Sequence, residues 1–283
     1  MKFNITQFFF IWNVSKALAA EVNVLISVIN KRYVTEIIVD GEPKPGLKKD
    51  AFDNVFLRYR FKEIKPREEL PAFSSAILNT KSIDESDWFF NDKRIAVVRK
   101  RLMLVYPEGL RRIRKISERL FRKSQLLIDF EKEIIEFIER NFEVIKSNSD
   151  EQETVNENIE DLLKNNVGTV DQITDFAIAL HKNNNIRTRK VHGYIYEKGE
   201  ISPHSWLEVN IKGHWAPVDP ARNQIGRIPE NYIARKIDFT ERNIQDIQVK
   251  YKLSKNWYKQ AIIVQRSDFN IAQIENSAAN GHQ

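Results

Sequence analysis

The sequence predicts an α+β protein with an N-terminal β-sandwich followed by a domain in which helices precede a β-sheet. Three observations support this fold class. The first 85 residues are rich in β-branched and aromatic residues, residues 108–146 repeat apolar residues at helical spacing, and strand patterns return after residue 185. We therefore divide the chain into a sandwich (1–86), a second domain (87–265) and a tail (266–283).

The N-terminal strands are indicated by their composition and by the turn residues between them. Asp40–Gly46 contains two prolines and two glycines, and Asp53-Asn54 is a second turn signal. Short strands separated by such turns are typical of a small β-sandwich. The predicted strands are Phe3–Val14, Ala20–Asn30 and Val55–Phe61.

A helical region follows the sandwich. Residues 108–146 are predicted to be helical, with Asp129 as a cap, and Ser147–Asp150 should end this region. A second helix is predicted over Val155–Lys164. Toward the C-terminus, Ile247–Leu253 and Ala261–Gln265 are expected to close the sheet of the second domain.

Composition excludes several classes of protein and site. With 42% hydrophobic and 30% charged residues, the chain has the composition of a globular protein, and it lacks a run of about 20 apolar residues that could span a bilayer. It contains no cysteine, so disulfides and thiolate metal sites are excluded. We expect neither a metal nor another cofactor. The sequence sets no expectation for the oligomeric state.

The N-terminus weakly resembles a signal peptide, because Met1-Lys2 is followed by the apolar run Phe8–Trp12. Polar residues such as Asn4 and Gln7 interrupt that pattern, and the alternation suits a strand. We therefore predict a cytoplasmic protein, with secretion as the alternative.

A helix start is marked at residues 169–172. Thr169 is followed three residues later by Gln172 and then by an apolar helix, which is the pattern of a capping box. The box places Val170 in the first helical turn. A cysteine at that position would have a lowered thiol pKa, because a helix N-terminus favours the thiolate.

Four motifs in sequence order resemble the transglutaminase-like superfamily, whose core has a papain-like fold. They are residues 168–172 (GTVDQ), 193–194 (GY), 204–209 (HSWLEV) and 215–220 (WAPVDP). The resemblance covers residues 110 to about 262. The N-terminal sandwich also resembles the β-domain that precedes this core in many prokaryotic members.

The resemblance implies a Cys–His–Asp triad at Val170, His204 and Asp219, so the nucleophile is replaced by valine. Valine has no lone pair with which to attack a substrate. Thr169 is a poor substitute, because the cap uses its hydroxyl and its side chain points about 100° away around the helix. Ser205 is also a poor substitute, because it adjoins His204 on a strand and faces the opposite side.

The spacing around Lys212-Gly213 tests whether His204 and Asp219 can meet. A two-residue hairpin turn there pairs Trp206 with Asp219 and makes His204 a diagonal neighbour of Asp219, at roughly 7–8 Å between backbones. An aspartate in this position orients a catalytic histidine. Alternatively, the two side chains form a buried polar pair that satisfies their hydrogen-bonding groups and has no catalytic role. With Val170 in the third position, we favour this structural interpretation.

Further groove residues are implied by the resemblance. Trp206 and Trp215 share the face of His204 and Asp219, so they line a substrate groove or belong to the core, and the core is the interpretation we favour. Gln172 is an oxyanion-donor position in an active relative, but capping already explains it.

Charge is concentrated in one segment. Residues 93–123 contain twelve Lys/Arg and two acids, a local net charge of +10, so the overall +6 leaves −4 for the remainder. Such density is typical of a solvated helix face or of a surface that binds an acidic partner. The predicted basic patch comprises Arg99, Lys100, Arg101, Arg111, Arg112, Arg114, Lys115, Arg119, Arg122 and Lys123.

We therefore expect a catalytically inactive transglutaminase-like protein that acts as a binding module for protein or nucleic acid. Inactive transglutaminase folds occur among DNA-damage-recognition relatives, which gives this role a precedent by analogy. The alternative is an active peptidase, amidase or acyl-transferase, if the protein naturally carries Cys at position 170 or if His204 and Asp219 activate a water. A purely structural assembly role is a third class.

Overall fold

The fold class is α+β, as the sequence predicts. The structure is a computed structural model, and it describes residues 1–14, 19–91, 108–145, 159–239, 247–253 and 262–274. The chain forms two compact units. One comprises Met1–Lys81, Ile233–Lys236 and Ile244–Gln283, and the other Ser82–Tyr232 and Ile237–Asn243.

Strands and helices alternate in blocks along the chain. The described strands are β1 (Lys2–Asn13), β2 (Ala19–Asn30), β3 (Val34–Glu42), β4 (Gly46–Lys49), β5 (Asn54–Ile64), β6 (Glu69–Thr80), β7 (Ile83–Asp84), β8 (Glu143–Ile145), β9 (Val167–Thr169), β10 (Thr188–Glu197), β11 (Glu200–Ile211), β12 (His214–Asp219), β13 (Gln224–Ile225), β14 (Arg227–Ile228), β15 (Tyr232–Phe239), β16 (Ile247–Leu253) and β17 (Ile262–Gln273). The described helices are α1 (Ser86–Asn91), α2 (Glu108–Lys123), α3 (Leu127–Asn141), α4 (Ile159–Asn165) and α5 (Val170–Asn183).

The first unit is a sandwich of two four-stranded sheets, ordered β17-β1-β6-β3 and β16-β2-β5-β4. Strand β1 buries every second residue, because alternate side chains of a strand point to opposite faces. The buried ring of Phe9 meets Tyr59 of the other sheet edge to face, with ring centroids 5.0 Å apart. The two sheets therefore bury their inner faces against each other.

The C-terminal strands correct one expectation. Ile247–Leu253 and the strand after residue 261 were expected to close the sheet of the second domain, but β16 pairs with β2 and β17 pairs with β1. Strand β17 also extends to Gln273, into the predicted tail. The alternation of a strand does not specify its partner, so this pairing could not be derived from sequence. The domain division at 86 and 265 stays a prediction about independent folding.

The second unit packs helices against one face of the strands β10 to β13, which lie in the order β13-β12-β11-β10. Helices α2 to α5 share a core with alternate residues of β11 and β12, including Leu207, Val209 and Val218. The apolar stripe of α2 lies in this core, with Ile113 and Leu120 buried. None of the described helices is long and apolar enough to cross a membrane.

The predicted helical region is divided in two. Helix α2 ends at Lys123 and α3 begins at Leu127. The predicted cap is present, because Asp129 Oδ2 accepts a hydrogen bond from the Leu126 backbone N–H at 2.8 Å. The predicted second helix is described from Ile159 as α4, and its expected start at Val155 lies outside the described residues.

Candidate functional site

The first turn of α5 is fixed by the predicted capping box. Thr169 Oγ1 accepts from the Gln172 N–H at 3.3 Å, and Gln172 Oε1 accepts from the Thr169 N–H at 2.9 Å. A Cβ at Gly168 would lie 2.6 Å from Leu162 Cδ1 and 2.9 Å from Gln172 Oε1. A side chain at position 168 would have to displace Leu162 and the capping side chain of Gln172, so glycine leaves both in place.

Val170 is the first residue of α5, and its side chain is partly buried. The hydroxyl of Thr174, one turn later, lies 2.9 Å from the Val170 carbonyl and 3.0 Å from the Ser205 carbonyl. These contacts anchor the start of α5 to β11. Valine has no donor or acceptor, so position 170 supplies shape but no chemistry.

His204 and Asp219 meet across the predicted hairpin. Lys212 and Gly213 both have positive φ, at 53° and 96°, and Ile211 pairs with His214 as expected from a two-residue turn. His204 Nε2 lies 2.6 Å from Asp219 Oδ2. An ionised Asp219 accepts a hydrogen bond from Nε2–H of His204. In a neutral ring with this tautomer, Nδ1 carries no proton and is the acceptor nitrogen.

Asp219 is fully buried and is held by further donors. Tyr232 Oη donates to Asp219 Oδ2 at 2.8 Å, and the Ala221 N–H donates to Oδ1 at 3.0 Å. Burial, together with the Asp219 charge and hydrogen bond, raises the pKa of Tyr232 well above its usual range. Tyr232 therefore remains a neutral donor to the carboxylate at physiological pH.

The same tyrosine covers the imidazole. The ring of Tyr232 stands edge-on to His204, with centroids 5.5 Å apart, and to Trp206, at 5.2 Å. The His204 side chain is only 2% exposed and Trp206 is completely buried. Neither ring presents an open surface to a substrate.

On the sheet face that carries His204, alternate side chains of β11 each contact another side chain. Two positions after Trp206, the buried Glu208 accepts from Arg189 Nε at 2.5 Å. The Arg189 guanidinium lies 4.3 Å from the centre of the Trp215 ring. The spacing of His204, Trp206 and Glu208 thus places a hydrogen-bonded histidine, a core indole and a buried ion pair side by side.

Ser205 faces the opposite side of β11, as alternation predicts. Its hydroxyl donates to Thr174 Oγ1 of α5 at 3.2 Å, and it is nearly buried. It lies away from His204, so the two residues do not form a nucleophile–base pair.

A charged network lies beside the start of α5. Lys190 Nζ contacts Asp171 Oδ2 at 2.6 Å and Asp175 Oδ1 at 2.8 Å, while His192 Nε2 lies 3.2 Å from Asp238 Oδ2. Burial raises the pKa of Asp171, but Lys190, with smaller effects of His192 and Ser205, brings it below its usual value. This network ties α5 to β10.

The predicted basic patch is described only in part, because Arg99, Lys100 and Arg101 lie outside the described residues. Helix α2 carries seven cations and two acids. Its exposed cations, which we name the basic helix face, are Arg111, Arg112, Lys115, Arg119, Arg122 and Lys123.

Five of the seven cations of α2 have a partner among the described residues. Their contacts are Arg112 with the Leu163 carbonyl, Arg114 and Arg122 with Glu118, Lys123 with Glu133, and Arg119 with the Phe137 ring. Arg111 and Lys115 have no partner among the described residues. With seven cations and two acids, the helix keeps a net positive charge. Exposed ion pairs of this kind each contribute only about 0–1 kcal/mol to stability.

Sequence reasoning missed several residues of the site, above all Tyr232 and Arg189. Two adjacent cations in a predicted strand, Arg189 and Lys190, were the available signal, because cations in a buried strand require acidic partners. Tyr232 gave no local signal. It lies 13 residues after Asp219 and reaches it only through the fold.

Within the described ranges, no three His, Cys, Asp or Glu side chains lie close enough together to hold a metal ion.

Comparison with protein families gives a match over residues 114–220 to the transglutaminase-like superfamily. This range contains Val170, His204 and Asp219. A search of curated proteins finds no match to the chain.

Three solved structures illustrate the fold. A candidate cysteine protease from Cytophaga hutchinsonii superposes with a TM-score of 0.56 at 15% identity, covering 99% of this chain and 92% of that one. A candidate protease from Parabacteroides distasonis gives 0.34 at 13% identity (76% and 42% covered), and the periplasmic domain of TgpA from Pseudomonas aeruginosa gives 0.36 at 13% (77% and 88%). Only the first likeness, with its TM-score of 0.56, carries weight, and at 15% identity it concerns the fold alone.

Proposed function

We propose that this protein is a catalytically silent member of the transglutaminase-like superfamily that acts as a binding module, because residues 114–220 match the model of that superfamily. The chain contains no cysteine, so the covalent step of a cysteine enzyme has no nucleophile. The predicted cytoplasmic location is part of the same proposal.

One observation carries the proposal. His204 is hydrogen-bonded to Asp219, 2% exposed and covered by Tyr232, while residue 170 is valine. A general base must reach the proton that it removes, directly or through one water. The near-complete burial of this base and the valine at the nucleophile position support a structural role for the His–Asp pair.

The basic helix face is the binding surface that we propose. It presents six exposed cations on one helix, and Arg111 and Lys115 among them have no partner in the described part of the chain. Clustered like charges attract an anionic surface, which lowers their mutual repulsion. The partner is therefore acidic, either a nucleic acid or an acidic protein.

A second candidate function is an active cysteine peptidase, amidase or acyl-transferase with Cys at position 170. It is favoured by the intact capping box around Val170 and by the 2.6 Å contact between His204 and Asp219. Under this alternative, restoring the thiol produces a His204-dependent thiolate.

The binding proposal is tested with two acidic probes, a labelled DNA duplex and a labelled poly-glutamate peptide. Fluorescence anisotropy should detect binding that weakens with salt, as counterion release requires for nucleic acid. The variant Arg111→Glu/Lys115→Glu should lose most of the affinity for whichever probe binds.

The matched control is Lys44→Glu/Lys48→Glu, which changes the same number of exposed cations in the sandwich. It should bind as the unmodified protein does. Equal loss in both variants would indicate a net-charge effect, and no binding of either probe at low salt would refute a partner of these two kinds.

A further inference from the structure

The outer face of the sheet β17-β1-β6-β3 carries an exposed apolar band. Phe8, Phe10 and Trp12 are alternate residues of β1, and Phe8 and Trp12 are each 45% exposed. Across β6, Phe73 lies against Phe8 with ring centroids 4.6 Å apart. Across β17, Ile263 pairs with Trp12 and is also exposed. Contiguous exposed apolar side chains of this kind mark interaction surfaces more often than single ones do.

Acidic residues border this band. The same register places the exposed Glu36, Asp40 and Glu42 of β3, Glu69 of β6 and Asp268 of β17 on the outer face. Lys2 is the one cation at the outward positions of these four strands within the described residues. We name the band and its border the acidic aromatic face.

The charge of this face limits its occupants. Two copies that met symmetrically through it would bring five acids against five acids, and like-charge contacts oppose such an interface. An anionic membrane is disfavoured for the same reason. The chemistry that fits is a cationic surface with arginines, since guanidinium groups stack on aromatic rings and also pair with carboxylates.

We propose that the acidic aromatic face binds the basic helix face of a second copy of this chain. Four of the six exposed cations of that helix face are arginines. Their apolar stems can cover Phe8, Phe10 and Trp12 while the charged heads reach the carboxylates. The inference rests on the proposed function, because it names the acidic partner of the same helix.

The two surfaces differ, so the contact is heterologous. Each copy offers both surfaces, and association continues into a ring or a filament instead of stopping at a symmetric dimer. Because the contact is largely electrostatic at its border, salt should weaken it.

Sedimentation velocity of the full chain at low and high salt provides the test. One variant reverses three acids at the border of the acidic aromatic face, Glu36→Lys/Asp40→Lys/Glu42→Lys, and is called the rim variant. The other reverses three cations of the basic helix face, Arg111→Glu/Lys115→Glu/Arg122→Glu, and is called the helix variant. The unmodified protein should associate with rising concentration, and each variant alone should associate roughly tenfold more weakly or not at all. Circular dichroism checks that both variants fold.

Sedimentation of a mixture of the two charge-reversed variants is the decisive experiment. Each then offers the other a complementary surface at both contacts, so association should return. The proposal is overturned if the unmodified protein stays monomeric up to about 1 mM, if either variant associates unchanged, or if mixing restores nothing. Sedimentation with neutral phosphatidylcholine vesicles that depends on Trp12 would also overturn it, in favour of a membrane.

Probe binding and self-association, measured on the same variants, distinguish a failure of this inference from a failure of the proposed function. The rim variant keeps an intact basic helix face, so it should still bind whichever acidic probe binds the unmodified protein. Probe binding without self-association refutes the second copy as partner and leaves the binding function standing. Self-association without probe binding restricts the acidic partner to the chain itself.

Discussion

Two buried histidine–carboxylate pairs lie in the same unit of this protein, one at the positions that the sequence resemblance assigns to a catalytic histidine and aspartate and one in the helical core. His204 Nε2 lies 2.6 Å from Asp219, and His181 Nε2 lies 2.7 Å from Glu131. By distance and burial the two pairs are nearly equivalent. Such a pair is therefore not in itself a sign of catalysis.

The difference between the pairs lies in the second ring nitrogen. His181 Nδ1 is 2.7 Å from the Ala177 carbonyl, which only accepts hydrogen bonds, so Nδ1 must carry a proton. His204 Nδ1 has no hydrogen-bond partner within the described ranges. The core pair uses both ring nitrogens in hydrogen bonds, whereas His204 uses only one and packs against the ring of Tyr232.

The largest effect is expected from breaking the core pair. Glu131→Ala leaves His181 without a counter-charge in a fully buried site, and removing one partner of such a pair costs about 3–5 kcal/mol. Chemical denaturation would measure the free energy of unfolding. The double variant Glu131→Leu/His181→Leu should recover much of it. A loss below about 1 kcal/mol for Glu131→Ala would contradict the importance of the core pair.

The pH dependence of stability should also report the core pair. Burial lowers the pKa of His181, but the Glu131 charge and the hydrogen bonds of the ring outweigh it, so the net pKa is raised. Between the unfolded value of about 6.5 and the raised folded value, the folded state binds more protons. The stability that protonated His181 contributes should therefore be fully present below a pH of about 6.5 and should fall as the pH rises through the folded pKa. His181→Gln should flatten this slope, and an unchanged slope would assign it to another group.

A smaller effect should follow Tyr232→Phe. The variant keeps the ring over His204 but removes the hydroxyl that donates to Asp219 at 2.8 Å. A hydrogen bond to a charged group contributes about 1.5–3 kcal/mol. Thermal or denaturant unfolding should show a loss in that range. No loss would mean that water replaces the hydroxyl, and the pair would then be less enclosed than its burial indicates.

The smallest effect is expected at the helix start. Thr169→Ala removes one half of the capping box of α5, and such substitutions cost about 1 kcal/mol. Thr169→Ser keeps the capping oxygen and serves as the control. If the two variants unfold alike, the hydroxyl does not support the turn around Val170.

The sequence predicted the local features of this site well. The capping box at Thr169, the hairpin turn at Lys212-Gly213 and the register that joins His204 to Asp219 each depend on residues close in sequence. Short-range geometry determines such features, because turn conformation and strand alternation fix where the side chains point.

The features that sequence reasoning missed depend on long-range contacts. The pairing of β17 with β1, the hydroxyl of Tyr232 on Asp219 and the pairing of Glu131 with His181, 50 residues apart, carry no local pattern. The pairing of Lys123 with Glu133 of the next helix was missed for the same reason.

The most direct test of a silent scaffold is to restore the thiol. In this cysteine-free chain, Val170→Cys creates a single reactive group, whose alkylation by iodoacetamide is followed against pH and compared with Val170→Cys/His204→Ala. With His204 enclosed by Tyr232, we predict the same profile for both variants. Any effect of the helix N-terminus is common to the two. Rapid labelling near pH 6 that is lost with His204 would contradict the account and favour a cysteine enzyme.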